Sequence, residues 1–255
     1  MINGKDREYI TKKTRTDVER LIRRHIDRFN NLLYNVQISR DMFSFKHKKI
    51  INKIKSLTEL IENEIYNLCL ERSLYKLEET EDEDDIIAYL TKERKGGSLS
   101  DSIKTHVSTL NNEIEAYIES SLYFDITISD SLKTLKNNLK TAYNTPLIKR
   151  AYKEIEKPNS SIIKSNGFTV KKGEYKSSNA NLKRLVWFMV IDALTYRQVS
   201  HFNFIGAIGY EVHRGSSYPC DLCDSYLGFH PLDDVNSLPP RHGNCYCFIT
   251  PTFKD

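Results

Sequence analysis

The residues in this chain best suited to chemistry are concentrated near its C-terminus. Four of the five cysteines, Cys220, Cys223, Cys245 and Cys247, and three of the seven histidines, His213, His230 and His242, fall between Gly209 and Pro251. Pro219-Cys220-Asp221-Leu222-Cys223 is a C-x-x-C turn, which brings two sulfurs close enough to share one small soft cation. Cys245-Tyr246-Cys247 lies in an apolar run ending at Thr250. In a strand, residues i and i+2 point to the same face, so this pair would meet the first one together. Paired cysteines of this kind favour tetrahedral zinc. His242 stands three residues before Cys245 and could replace one thiolate; His213 is a more distant candidate.

Two other states of these cysteines compete with a metal site. They could form two disulfides, or remain free buried thiols. The opening MINGKDREYITKKTR is charged and has no apolar core of a secretory signal. A reducing, cytoplasmic origin disfavours disulfides.

The order C-x-x-C, Gly228, Pro239-Pro240 and then His242-x-Asn244-Cys245-x-Cys247 resembles the C-terminal signature of MuF-like phage head morphogenesis proteins, also called minor head or minor capsid proteins. The resemblance covers about the last 75 residues, with a weaker likeness over Asn181 to Val212. Gly243 stands where the family usually has Pro, and Tyr246 where it usually has Arg. The resemblance implies a structural, non-enzymatic virion protein that assembles in few copies near the portal. Its implied partners are the portal, capsid and scaffold proteins, with packaged DNA as a further possibility. It would reside in the phage head, and in the host cytoplasm during assembly.

The elements that must position the cluster follow from periodicity. Val18, Leu21, Ile22, Ile26, Phe29, Leu32 and Leu33 form a helical stripe within about residues 15–34. Arg20, Arg23, Arg24 and Arg28 lie on the other face; they are candidates for contact with a partner, against the simpler reading of a solvated face. His25, beside the stripe, reads as half-buried structure. A second helix is expected over about 47–75, with Cys69 as a small core residue. The acidic run Glu78 to Asp85 reads as a hydrated loop.

A third helix is expected over about 99–122, capped by Ser98 or Ser100, followed by one capped by Ser129. Pro146 suits the first turn of a further helix, and Lys172-Gly173 suits a short hairpin within Phe168 to Tyr175. The stretch from about 178 to 201 is apolar on most sides around Trp187, as a buried central helix would be. Asp192 on it is expected to pair with an arginine. Strands are expected near 208–214 and 245–251. The reading is therefore an α+β, predominantly α-helical chain. A helical assembly or docking region over 1–157 precedes a small α+β domain over 158–255 that carries the Cys/His cluster.

Charge and hydropathy narrow the function. Lys and Arg number 38 against 34 Asp and Glu, a mild excess that does not by itself argue for nucleic acid. Residues 178–255 hold six basic and seven acidic residues, so the positive excess lies in the helical part. The longest apolar run, Leu185 to Ile191, is seven residues, far short of the roughly 20 that span a bilayer. Zinc deaminases share P-C-x-x-C but need an upstream H-x-E, and no H-x-E occurs here. A zinc module that binds nucleic acid is the main alternative; a phage-encoded zinc or cysteine enzyme is the lesser one, since a cysteine nucleophile paired with His242 lacks a third, orienting residue. Arg214 and Arg241 alone near the cluster are few for neutralising phosphate.

Overall fold

A computed structural model describes residues 4–34, 48–77, 81–93, 97–124, 127–138, 178–215, 220–242 and 245–254. It is mostly helical, with one small antiparallel sheet near the C-terminus. The helices are α1 (Gly4–Tyr34), α2 (Lys48–Ser73), α3 (Glu83–Thr91), α4 (Leu99–Phe124), α5 (Ile128–Asn138) and α6 (Ser178–Phe204). The strands are β1 (Gly209–His213), β2 (Gly228–Pro231) and β3 (Phe248–Thr252), in the order β2-β1-β3. The expected helix after Pro146, the expected hairpin and the boundary at 157/158 lie outside the described residues. Among the described residues no helix is long and apolar enough to cross a membrane.

The chain packs as two compact units, each assembled from segments distant in sequence. One contains Thr16–Tyr66 and Arg94–Lys183. Its core follows the apolar stripes: Val18, Ile22, Ile26, Phe29, Ile61, Ile65, Ile103, Val107, Leu110 and Ile114 are all buried. Polar groups inside it are paired. His25 Nε2 lies 2.9 Å from Asn111 Oδ1, and Asn111 Nδ2 donates to Thr58 at 2.8 Å. His25 is therefore buried, not half-buried. Glu113, also buried, accepts from the backbone N–H and hydroxyl of Ser178 at 2.9 and 2.7 Å, and so ties down the start of α6.

Helix ends follow local chemistry. Ser98 Oγ accepts from Asp101 N while Asp101 Oδ2 accepts from Ser98 N, both at 3.2 Å, a reciprocal capping box. For α5 the cap is Thr127, not Ser129: Thr127 Oγ1 accepts from Asp130 N at 3.1 Å. The hydroxyl two residues earlier satisfies the free amide, and Ser129 falls inside the first turn.

The second unit contains Met1–Arg15, Asn67–Glu93 and Arg184–Asp255. α1 starts at Gly4, well before the expected residue 15. Asp6, Ile10 and Thr14 are buried at four-residue spacing and continue the inward stripe, but with polar side chains that hide it in the sequence. The acidic run is a loop only in part. Asp82 caps α3, accepting from Asp84 N at 2.9 Å, and Ile86, Tyr89 and Leu90 are buried. α6 is buried on nearly every side from Leu185 to Thr195, as its composition requires. Its Asp192 accepts from the Tyr89 hydroxyl at 3.2 Å.

The sheet has the two expected strands and one more. Tyr210 pairs with His230 of β2 and Pro251 of β3. β2 is only four residues long and contains Gly and Pro, so periodicity does not reveal it.

Candidate metal centre

The C-x-x-C turn follows β1, and the second cysteine pair precedes β3. Cys223 N and Asp224 N both donate to Cys220 O at 2.9 Å, which closes the turn into the short 3-10 helix Asp224–Tyr226. Asp224 Oδ2 accepts from Cys220 N at 3.0 Å, and Asp224 Oδ1 pairs with Arg214 at 2.8 Å. One carboxylate thus fixes the turn and anchors it to the residue just after β1.

Cys245 and Cys247 lie just before β3, not within it. The backbone is nevertheless extended enough for alternation: Cys245, Cys247 and Ile249 are buried while Tyr246 and Phe248 are exposed. Cys245 N donates to His242 O at 3.0 Å, so the histidine and the cysteine pair are joined by a turn. The approach of the two segments is close. A Cβ on Gly215 would lie 1.7 Å from the carbonyl oxygen of Tyr246, so no side chain fits there. The Gly215 N–H also bonds to the Cys247 sulfur.

These constraints bring together Cys220, Cys223, His242, Cys245 and Cys247. Cys220 Sγ lies 3.2 Å from His242 Nε2, and Cys223 Sγ lies 3.6 Å from Cys245 Sγ. Donor atoms of Cys220, Cys223 and His242 fall within 4.8 Å of one another, as do those of Cys223, Cys245 and Cys247. Cys223 belongs to both groups. All four cysteines are unbridged, and the cluster could hold a metal ion. Burial pushes the Cys223 and Cys247 thiols up, and neighbouring sulfurs push Cys223 further. Crowded sulfurs away from water favour the neutral thiol until a cation compensates them.

The remaining histidines of this stretch are occupied elsewhere. His213 Nε2 bonds to Thr250 Oγ1 at 2.7 Å, and its ring stacks on Phe248. His230 is held by Asp234 Oδ2 and the Tyr226 carbonyl, both at 3.0 Å. Asp234 is kept below the usual carboxylate range, mainly by the Ser237 hydroxyl and then by His230. Cys69 is buried far from this chemistry in sequence, its thiol raised to about 12 by burial alone.

The four arginines singled out in the sequence are engaged within their own unit. Arg20 pairs with Asp17 at 3.0 Å, Arg23 with Glu19 at 2.8 Å, and Arg24 and Arg28 with Glu64 at 3.4 and 2.7 Å. Arg20 and Arg24 still expose 59% and 51% of their side chains, which leaves them reachable.

Sequence reasoning missed Arg7. Its Nη2 approaches the Cys247 carbonyl oxygen at 3.4 Å, across 240 residues of chain. It also missed Trp187 as a neighbour of the cluster segment: the Trp187 and Tyr246 rings lie 6.2 Å apart, and the indole N–H donates to Thr11 Oγ1 at 3.1 Å. No local spacing announces contacts made across such separations.

Comparison of the chain with family models, with curated proteins and with solved structures finds no match.

Proposed function

We propose that the cluster is a structural zinc site and that the chain is a structural protein of phage head assembly, of the MuF-like kind. The observation that carries the zinc reading is the meeting of four thiols and one imidazole from two short segments, in two overlapping sets that share Cys223. Tetrahedral zinc with bonds of about 2.3 Å to sulfur sets its sulfurs roughly 3.8 Å apart. Cys223 and Cys245, at 3.6 Å, are already near that separation. Four of these five donors, drawn in around one ion from the two overlapping sets, would fill a tetrahedron and leave no position open for a reacting water. The ion would cross-link the β1–β2 connection to the approach to β3. It would supply folding free energy to a three-stranded sheet with a small core.

The residues behind the resemblance to the minor head proteins include Cys220, Cys223, His242, Cys245 and Cys247, the same five that meet in space. This supports an assembly role over catalysis. The nucleic-acid alternative needs free basic side chains beside the metal. Arg214 is paired with Asp224, and Arg241 lies over the Tyr226 ring with its carbon 3.4 Å from the centroid. On this reading zinc is the cofactor, and portal, capsid or scaffold proteins are the partners.

Co-purification with procapsids tests the assembly reading. Full-length protein is expected to incorporate, and mass spectrometry of purified virions is expected to find it. Reversing Arg20 and Arg24 to Glu leaves the Arg28–Glu64 pair intact and is expected to weaken incorporation, more so at low salt, where screening is least. Absence from both procapsids and virions would overturn the assembly reading. Normal incorporation of the reversed protein would remove the arginines from the contact.

A further inference from the structure

A thiolate-rich zinc site carries net negative charge. With four cysteines the ion and its ligands sum to about −2, and with three cysteines and a histidine to about −1. Such a charge, withdrawn from water, needs a compensating cation or donors nearby. The backbone N–H of Gly215 supplies one donor, at the Cys247 sulfur. The cationic group comes from the opposite end of the chain. Arg7, in the second turn of α1, is half-buried and reaches the Cys247 carbonyl at 3.4 Å. Burial lowers the guanidinium below its ordinary value, and the neighbouring Cys245 and Cys247 sulfurs oppose that shift. Guanidinium stays charged at any physiological pH, so this is a permanent cation beside the sulfurs.

We propose that Arg7 is a positioning and charge-compensating residue of the metal centre, through which metal binding fastens the first turns of α1 to the cysteine segments. The proposal rests on the zinc reading. Both partners belong to the same compact unit, which contains Met1–Arg15 and Arg184–Asp255. The carbonyl contact orients the backbone between the two donors Cys245 and Cys247 and the start of β3. The charge offsets the cost of holding a net negative, thiolate-bound site away from water. The consequence is a reciprocal coupling: whatever orders residues 4–15 tightens metal binding, and metal binding orders residues 4–15.

The experiment uses the full chain with Co²⁺ or Zn²⁺ alone, titrated against a chromophoric chelator. Arg7→Gln is expected to keep the cobalt ligand-field bands of the wild type, because no ligand changes. Its affinity for the metal is expected to fall roughly 10-fold or more, the usual effect of removing a group that supports metal ligands. Arg7→Lys keeps the charge without the planar fork and is expected to fall between the two. Lys133→Gln, an exposed change on α5, is expected to match the wild type.

A second readout needs no variant. Hydrogen exchange in the wild type is expected to slow over residues 4–15 when Zn²⁺ is added. An Arg7→Gln affinity within about twofold of wild type, in the range of ordinary surface changes, would overturn the role of Arg7 and leave the zinc reading standing. So would exchange over residues 4–15 that is indifferent to metal. A wild-type chain that binds no metal would overturn both.

Discussion

At the scale of single residues, the cysteine cluster and the buried polar groups of the helical unit occupy different stretches of the chain. The donors that meet at the cluster are soft and close together, whereas the polar residues of the helical unit serve its core. His25 shows the difference. It is fully buried against Asn111, its ring edge on Phe29, and burial lowers it to about 4. Its folded value lies below its unfolded one, so its contribution to stability is present above about pH 6.5 and is lost as pH falls toward 4. A shift of that size amounts to about 3 kcal/mol over the window. Urea unfolding at pH 7 and pH 4 checks this: wild type is expected to lose about 3 kcal/mol more than His25→Gln between the two. Equal losses would show that the imidazole is not held neutral. The sequence placed His25 beside the apolar stripe, but its partner sits 86 residues away, beyond any local pattern.

At the scale of elements, several boundaries were legible and several were not. The stripes of α2 and α4 appear close to where periodicity puts them, since their inward positions are aliphatic. The start of α1 was hidden because Asp6 and Thr14 occupy inward positions. α3 was hidden by the charge of its first turn. An acidic run looks like a hydrated loop, yet acids at a helix N-terminus cap it and suit its dipole. Arg197 of α6 then organises the neighbourhood of that run. Its guanidinium forks onto Glu81, with Nε at 2.7 Å from Oε1, and donates to the carbonyls of Ser73 and Tyr75 at 2.9 Å. It thereby satisfies carbonyls at the end of α2 and holds the approach to α3. Arg197→Gln would leave Glu81 and those carbonyls without their donor, at a cost of about 3–5 kcal/mol. Arg197→Lys cannot reproduce the fork and is expected to recover only part. Thermal or urea unfolding of both variants reads this directly, and a loss near that of an ordinary surface change would contradict it.

At the scale of the whole molecule, the fold class and the cluster were legible for the same reason: both rest on short-range spacing. A C-x-x-C turn and an H-x-x-C-x-C segment carry their own geometry, and the structure brings the five side chains together. Local spacing does not reveal these two units, because each is assembled from segments distant in sequence and one of them joins the two ends of the chain. Periodicity reports which face of a helix turns inward and is silent on which distant helix it meets.

If the cluster is structural zinc, Cys223, common to both donor groups, is the residue least replaceable. Cys223→Ser is expected to lower the unfolding midpoint in the absence of any partner, and a chelator is expected to lower the wild type toward the variant. An unfolding midpoint that neither the substitution nor the chelator moves would contradict a structural role.

The most direct test is the metal content of the purified full-length chain, by elemental analysis, together with titration of its thiols. The expected result is about one equivalent of zinc, with the clustered cysteines protected from thiol reagent until a chelator is added. Less than about half an equivalent, with four thiols of the cluster reacting freely, would contradict the account.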